Sequence, residues 1–207
     1  ALLQVFSSFI VHDGQAVPRE LEIVFDFVRS IFPEVDHGIL GRSLEAAVSD
    51  PVPIEGPLKH LRKSLPAEQK ASFALQLYSV IRAGGDVPSE RDRFLFVMSN
   101  LGNRALGKAV IKELSEVNAE RNNLLTRIDF APNKDGDVRL RDEDSLFHFR
   151  CYRAGGLVLI RNLSETPFWI RGHSLDKDRL LQIRPNDDII VNQWRISYSD
   201  LVYFLQI

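Results

Sequence analysis

Over residues 1 to 118, apolar side chains recur three and four positions apart. Leu2, Val5, Phe6 and Phe9 make one stripe, and Leu21, Val24, Phe27, Val28 and Ile31 make another; a period near 3.6 puts each set on one face of an amphipathic helix. Pro18, Pro57, Pro66 and Pro88 stand near the starts of such stretches, where the N–H that proline lacks would have no intrahelical partner. Stops fall at Asp13-Gly14, Phe32-Pro33, Asp50-Pro51, Gly84-Gly85 and Gly102-Asn103. The pattern predicts about seven helices, over roughly 1–12, 18–32, 36–49, 57–64, 66–83, 88–101 and 103–118.

After Asn122 the period shortens to two. Leu146-Phe147-His148-Phe149, Leu157-Val158-Leu159-Ile160 and Asp188-Ile189-Ile190-Val191 lie between turn signals at Asp135-Gly136, Ala154-Gly155-Gly156, Arg171-Gly172 and Pro185-Asn186-Asp187. Short strands at this spacing predict a compact β-sandwich. The chain therefore reads as two domains, an all-α bundle over 1–120 and a β-sandwich over 121–207, with the change near Glu120 to Asn123.

Composition narrows the functional classes. The 207 residues are 44% hydrophobic and 26% charged, with a formal net charge of -2 and a sequence pI near 6.2, so the chain has no global field to hold nucleic acid. Residues 1–120 carry 13 basic and 16 acidic side chains and the remainder 13 and 12, which leaves partner choice to shape and specific contacts. The single cysteine, Cys151, forms no internal disulfide, and no apolar run approaches the length of a membrane span. A cytoplasmic location is expected. The chain starts on Ala1 and holds one methionine, Met98, and so reads as a piece of a longer gene product.

Gly102-Asn103-Arg104-Ala105-Leu106-Gly107-Lys108-Ala109 has the spacing of a phosphate-binding loop. Ala109 stands where a hydroxyl should hold magnesium, and the preceding Phe94 to Leu101 reads as a helix rather than the strand such a loop follows. A glycine-containing helix connector is the expectation there.

Two connectors look alike: Val11-His12-Asp13-Gly14-Gln15-Ala16-Val17-Pro18-Arg19-Glu20, and Ile81-Arg82-Ala83-Gly84-Gly85-Asp86-Val87-Pro88-Ser89-Glu90. About 70 residues apart, they imply an internal duplication. With Ile31-Phe32-Pro33-Glu34-Val35-Asp36 and the helix count, they make residues 1 to 118 resemble the TerB-like tellurite-resistance family. That resemblance implies a weakly held divalent cation at aspartate-glycine followed seven residues later by glutamate, which Asp13, Gly14 and Glu20 match. In the second copy Gly84 takes the aspartate position and Arg91 the glutamate position, leaving Asp86, Glu90 and Asp92 displaced. Hard cations need about six oxygens, so Asp13, Glu20, Asp86 and Glu90 form at most a weak set. The alternative is that these acids favour the positive ends of helices. His12, His37, His60, His148 and His173 are too scattered for zinc. Lys59, His60, Arg62 and Lys63 make a small basic patch, read as a solvated face or a docking point for anionic lipid or phosphate.

The second half orders Phe130-Ala131-Pro132, Asp137-Val138-Arg139-Leu140, Ser145-Leu146-Phe147-His148, Leu157 to Ile160, Asn162-Leu163-Ser164-Glu165-Thr166 and Ile170-Arg171-Gly172. This order resembles the forkhead-associated (FHA) family, which implies a sandwich whose tip loops read phosphothreonine. The family's Gly-Arg arginine, which grips phosphate by charge-assisted hydrogen bonds, is replaced here by Ala131-Pro132, and its Asn-Gly pair by Pro167-Phe168. Ser145 and His148 keep the Ser-x-x-His motif, and with Thr166 they are what a degenerate phosphopeptide surface retains. On a strand, Ser145 and His148 would point to opposite faces, and no nucleophile, base and orienting acid stand at motif spacing. Asn162-Leu163-Ser164 spells a glycosylation sequon. Phe168 and Trp169 are either core or anchors for a partner.

These readings converge on a non-enzymatic regulatory module without a cofactor, binding a protein segment or other domains of its own chain. A divalent-cation or stress sensor and a phosphothreonine-peptide reader are the alternatives. A TerB-like domain before an FHA-like one resembles the N-terminal part of certain bacterial ABC-transporter-type ATPases. The resemblance implies an ATP site further along the parent chain and membrane association, at the inner face, through that parent.

Overall fold

The computed structural model describes residues 1–10, 18–32, 34–85, 87–116, 126–132, 138–139, 147–154, 156–192 and 194–205. The chain divides into two compact units, Ala1–Ser115 and Glu116–Ile207, helical and then β. The expected change near 120–123 lies outside the described residues.

Among the described residues the first unit holds seven helices: α1 (Leu2–Ile10), α2 (Pro18–Ile31), α3 (His37–Ser49), α4 (Glu55–Ser64), α5 (Ala67–Ala83), α6 (Pro88–Asn100) and α7 (Arg104–Ser115). The apolar stripes meet as periodicity requires: Phe6 on α1 lies edge-on to Phe27 on α2 and Phe73 on α5, at ring-centroid distances of 5.7 and 5.5 Å, and all three are fully buried. Asp36 starts α3, its Oδ1 accepting from the Gly38 and Ile39 N–H at 2.8 and 3.1 Å, which satisfies two donors that the first turn leaves open.

The apparent phosphate loop is a helix–helix turn. Helix α6 ends with Gly102 at φ +74°, the Gly102 N–H bonded to Ser99 O and the Asn103 N–H to Met98 O. This is the glycine-terminated helix end in which left-handed backbone recovers two orphan carbonyls. Gly107 is there for closeness: a Cβ at that position would come within 2.9 Å of Met98 Cβ, so the glycine lets α7 press against α6. Lys108 is exposed on α7.

Among the described residues the second unit comprises β1 (Thr126–Pro132), β2 (Val138–Arg139), β3 (Phe149–Ala154), β4 (Leu157–Asn162), β5 (Phe168–Ile170), β6 (His173–Leu175), β7 (Leu180–Ile183), β8 (Asp188–Val191), β9 (Trp194–Ser197) and a helix α8 (Tyr198–Leu205). The strands form a five-stranded sheet ordered β2-β1-β3-β4-β7 and a four-stranded sheet ordered β6-β5-β8-β9, with every pairing antiparallel. One apolar cluster draws on both sheets, including Phe149, Cys151, Ile160, Phe168, Ile189 and Ile196, so the sheets face each other across a shared core.

Turn chemistry explains the connections. Arg171 and Gly172, at φ +53° and +77°, form the two-residue turn from β5 to β6, the positive-φ pair that a tight hairpin prefers. Asp187 Oδ2 accepts the Arg184 N–H at 2.8 Å and closes the turn before β8. The period-two reading missed α8. Its signal is a capping box at Ser197-Tyr198-Ser199-Asp200: Asp200 Oδ2 accepts the Ser197 N–H at 2.9 Å, and Ser197 Oγ accepts the Asp200 N–H at 3.3 Å.

Candidate functional site

Strand alternation decides between the two aromatic candidates. On β5, Phe168 and Ile170 turn inward, 0% and 1% exposed, whereas Trp169 between them is 49% exposed. Phe168 is thereby a core residue, edge-on to Phe147 and Phe149, and offers a partner no surface. On β8, Ile189 and Val191 turn inward and Ile190 is 46% exposed. Trp169 stands opposite Ile190, Ile190 opposite Arg195, and Trp169 opposite Ser174. A single row, Ser174–Trp169–Ile190–Arg195, thus crosses all four strands on the outer face, and Asp188 accepts an ion pair from Arg195 at one side.

The outer positions of the five-stranded sheet carry the opposite chemistry. Register places Asp129, Arg150 and Arg161 side by side on β1, β3 and β4, with Arg127 and Tyr152 in the next row. Arg127, Arg150 and Arg161 are 9%, 2% and 1% exposed. Two arginines directly opposite one another repel, and each has its own carboxylate. Arg150 Nε and Nη2 meet Asp129 at 2.5 and 3.2 Å, and Arg161 Nη2 meets Asp178 Oδ1 at 2.6 Å. Burial by itself would raise the Asp129 carboxyl; the Arg150 hydrogen bond and charge, helped by His148 and Arg127, overcome it and hold the group below the ordinary carboxylate range. Burial, reinforced by Asp129, pushes the Cys151 thiol far up, and the side chain is fully buried.

Ser145 lies outside the described residues. His148 precedes β3 instead of lying within it, is half-buried, and its carbonyl accepts the Leu163 N–H at 2.9 Å. Thr166 belongs to a turn organised by Asn162. The Asn162 amide donates to Thr166 O and Leu175 O, both at 2.9 Å, while its Oδ1 accepts from the Ser164 N–H and Oγ at 2.9 and 2.8 Å. Asn162 is fully buried. The sequon is therefore a structural turn whose amide nitrogen is already engaged.

Asp13 and Asp86 lie outside the described residues. Glu20 and Glu90 each occupy the third position of a proline-started helix, α2 and α6, and are 2% and 9% exposed. Aligned on those helix starts, Glu90 and not Arg91 corresponds to Glu20. Arg93 lies 3.9 Å from Glu90, donates to Ser8 O at 2.8 Å, and holds its guanidinium 4.9 Å from the Phe9 ring centre. Among the described residues, no group of three or more His, Cys, Asp or Glu side chains is gathered to hold a metal ion, and no helix is long and apolar enough to cross a membrane. Comparisons with protein-family models, with curated proteins and with solved structures gave no match to this chain.

Proposed function

We propose that the protein is a non-enzymatic interaction module and that its second unit binds a protein segment through the outer face of the four-stranded sheet. The observation that carries this reading is the exposed Trp169–Ile190 pair, with the Arg195–Asp188 ion pair at its side. A half-exposed tryptophan beside an apolar cross-strand neighbour, with an ion pair beyond that neighbour, has the anatomy of an interface centre and rim. The segment belongs to another protein or to a further part of the same chain. On the resemblance of the two units to the start of ABC-transporter-type ATPases, the module regulates an ATP-hydrolysing parent at the inner face of the membrane.

The test compares wild type with Trp169→Ala/Ile190→Ser at matched melting temperature. Proteins retained by the wild type but not by the variant are identified, purified and titrated. Loss of the tryptophan anchor is expected to weaken binding about 30-fold; equal affinity for every retained protein refutes the reading.

The paired burial of Glu20 and Glu90 favours one second reading, a weak divalent-cation sensor formed with Asp13 and Asp86. Calorimetry with calcium, magnesium and manganese tests it: no heat and no melting shift at millimolar cation rejects it. The phosphothreonine alternative retains Ser145 and His148, and it predicts that phosphothreonine peptides bind and that Ser145→Ala abolishes the binding.

A further inference from the structure

The helical unit contains a cavity of about 440 Å³ where the start of α1, the end of α2, the start of α3, the end of α4 and the start of α5 converge. Leu2, Val28, Ile31, Leu40, Leu61 and Leu65 form its apolar wall. Phe32 and Ile39 also line it, 49% and 54% exposed, so two large apolar side chains stay in water at the rim. Close-packed interiors leave few spaces larger than a water molecule, whereas apolar clefts of about 300 to 1,000 Å³ with a few convergent polar groups take one small ligand.

Its polar lining comes from Ser43 on α3, His60 and Ser64 on α4 and Gln69 on α5, and basic side chains stand on α4 beside it. His60 and Ser64, one turn apart on α4, line the cavity, and exposed Lys59 and Lys63 each precede one of them in sequence. Arg62 is exposed on the same helix. The acidic groups next in sequence to the lining residue Val35 are Asp36, whose Oδ1 is engaged by the Gly38 and Ile39 N–H groups, and Glu34, which is exposed.

We propose that this cavity binds a single-chain anionic amphiphile, a free fatty acid, with its alkyl chain against the leucine and isoleucine wall and its carboxylate at His60 and Lys63. An apolar interior beside a cationic helix end complements both halves of such a molecule, while a neutral alkane or a hydrophilic anion would satisfy only one. This site lies on a different unit from the sheet surface proposed above, so either proposal can fail alone.

The experiment titrates the full chain with dodecanoate below its micelle concentration, with dodecanol as the neutral match and phosphatidylglycerol vesicles as a membrane control. One-to-one binding of dodecanoate is expected, about tenfold tighter than dodecanol. Ser43→Phe, which fills the cavity from α3, is expected to remove binding, and Lys59→Glu/Lys63→Glu to erase the preference for acid over alcohol. Ile39→Trp, at an exposed rim position, is a second probe that does not depend on Ser43→Phe folding; its fluorescence is expected to shift as dodecanoate enters. No dodecanoate binding, no fluorescence shift, equal binding of acid and alcohol, or vesicle binding without binding of the monomer overturns the proposal.

Discussion

The two sheets of the second unit treat their outward positions in opposite ways. The five-stranded sheet withdraws Arg127, Arg150 and Arg161 from water, and the four-stranded sheet leaves Trp169 and Ile190 in it. Burying an arginine costs free energy unless a carboxylate meets it; Arg150 meets Asp129 on β1, and Arg161 meets Asp178 in the turn before β7. Exposing a tryptophan forfeits burial that folding would otherwise gain. Polarity therefore distinguishes the two outer faces: buried charges matched by carboxylates hold one sheet together, while the apolar cross-strand pair left in solvent on the other is the feature on which the proposed binding surface rests.

The sharpest break of the comparison uses neighbours on β5. Phe168→Ala empties the shared core and is expected to cost about 3 to 5 kcal/mol, read as a fall in the urea midpoint. Trp169→Ala, one residue away, is expected to stay within about 1 kcal/mol. Equal losses would mean that Trp169 is structural.

Next in size is the buried pair. Arg150→Ala leaves Asp129 without its cation and is expected to cost about 3 kcal/mol, while Arg150→Met with Asp129→Leu is expected to recover most of it. The same pair sets an acid limit. Asp129 has a lowered folded value, so its contribution is fully present above the unfolded carboxylate value of about 3.9 and is lost as pH falls below that, through the folded value. Urea midpoints between pH 7 and pH 2 are expected to show this loss, and Asp129→Asn to flatten it.

How much of this was legible follows from range. The seven helices were readable because their signals are local: stripes three and four apart, prolines at starts, glycines at stops. The Arg171-Gly172 turn was readable for the same reason, whereas the sequence left Phe168 and Trp169 equally core or anchor, and only the placed strand puts Phe168 inward and Trp169 outward. Trp169 stood out in the sequence, but Ile190 did not, because its partnership with Trp169 depends on the register of strands 21 residues apart. The arginine row was hidden likewise, since Asp129 meets Arg150, and Arg161 meets Asp178, only after the sheet forms. Helix α8 is a different kind of miss: its Ser197–Asp200 capping box is local, and the period-two reading ran past it.

Smaller effects sharpen the helical side of the account. Gly107→Ala drives a Cβ to 2.9 Å from Met98 Cβ and is expected to cost about 1 to 3 kcal/mol, measured by thermal melting. Lys108→Ala, the substitution that would disable a phosphate-binding loop, is expected to change stability by less than about 0.5 kcal/mol.

The most direct measurement places a photo-crosslinking amino acid at Ile190 and maps the captured peptide, with a second crosslinker at exposed Lys112 as control. The account expects one protein segment to be captured at 190, not at 112, and to be lost when Trp169 is replaced by alanine. No capture at 190 above the control, or capture indifferent to Trp169, would contradict it.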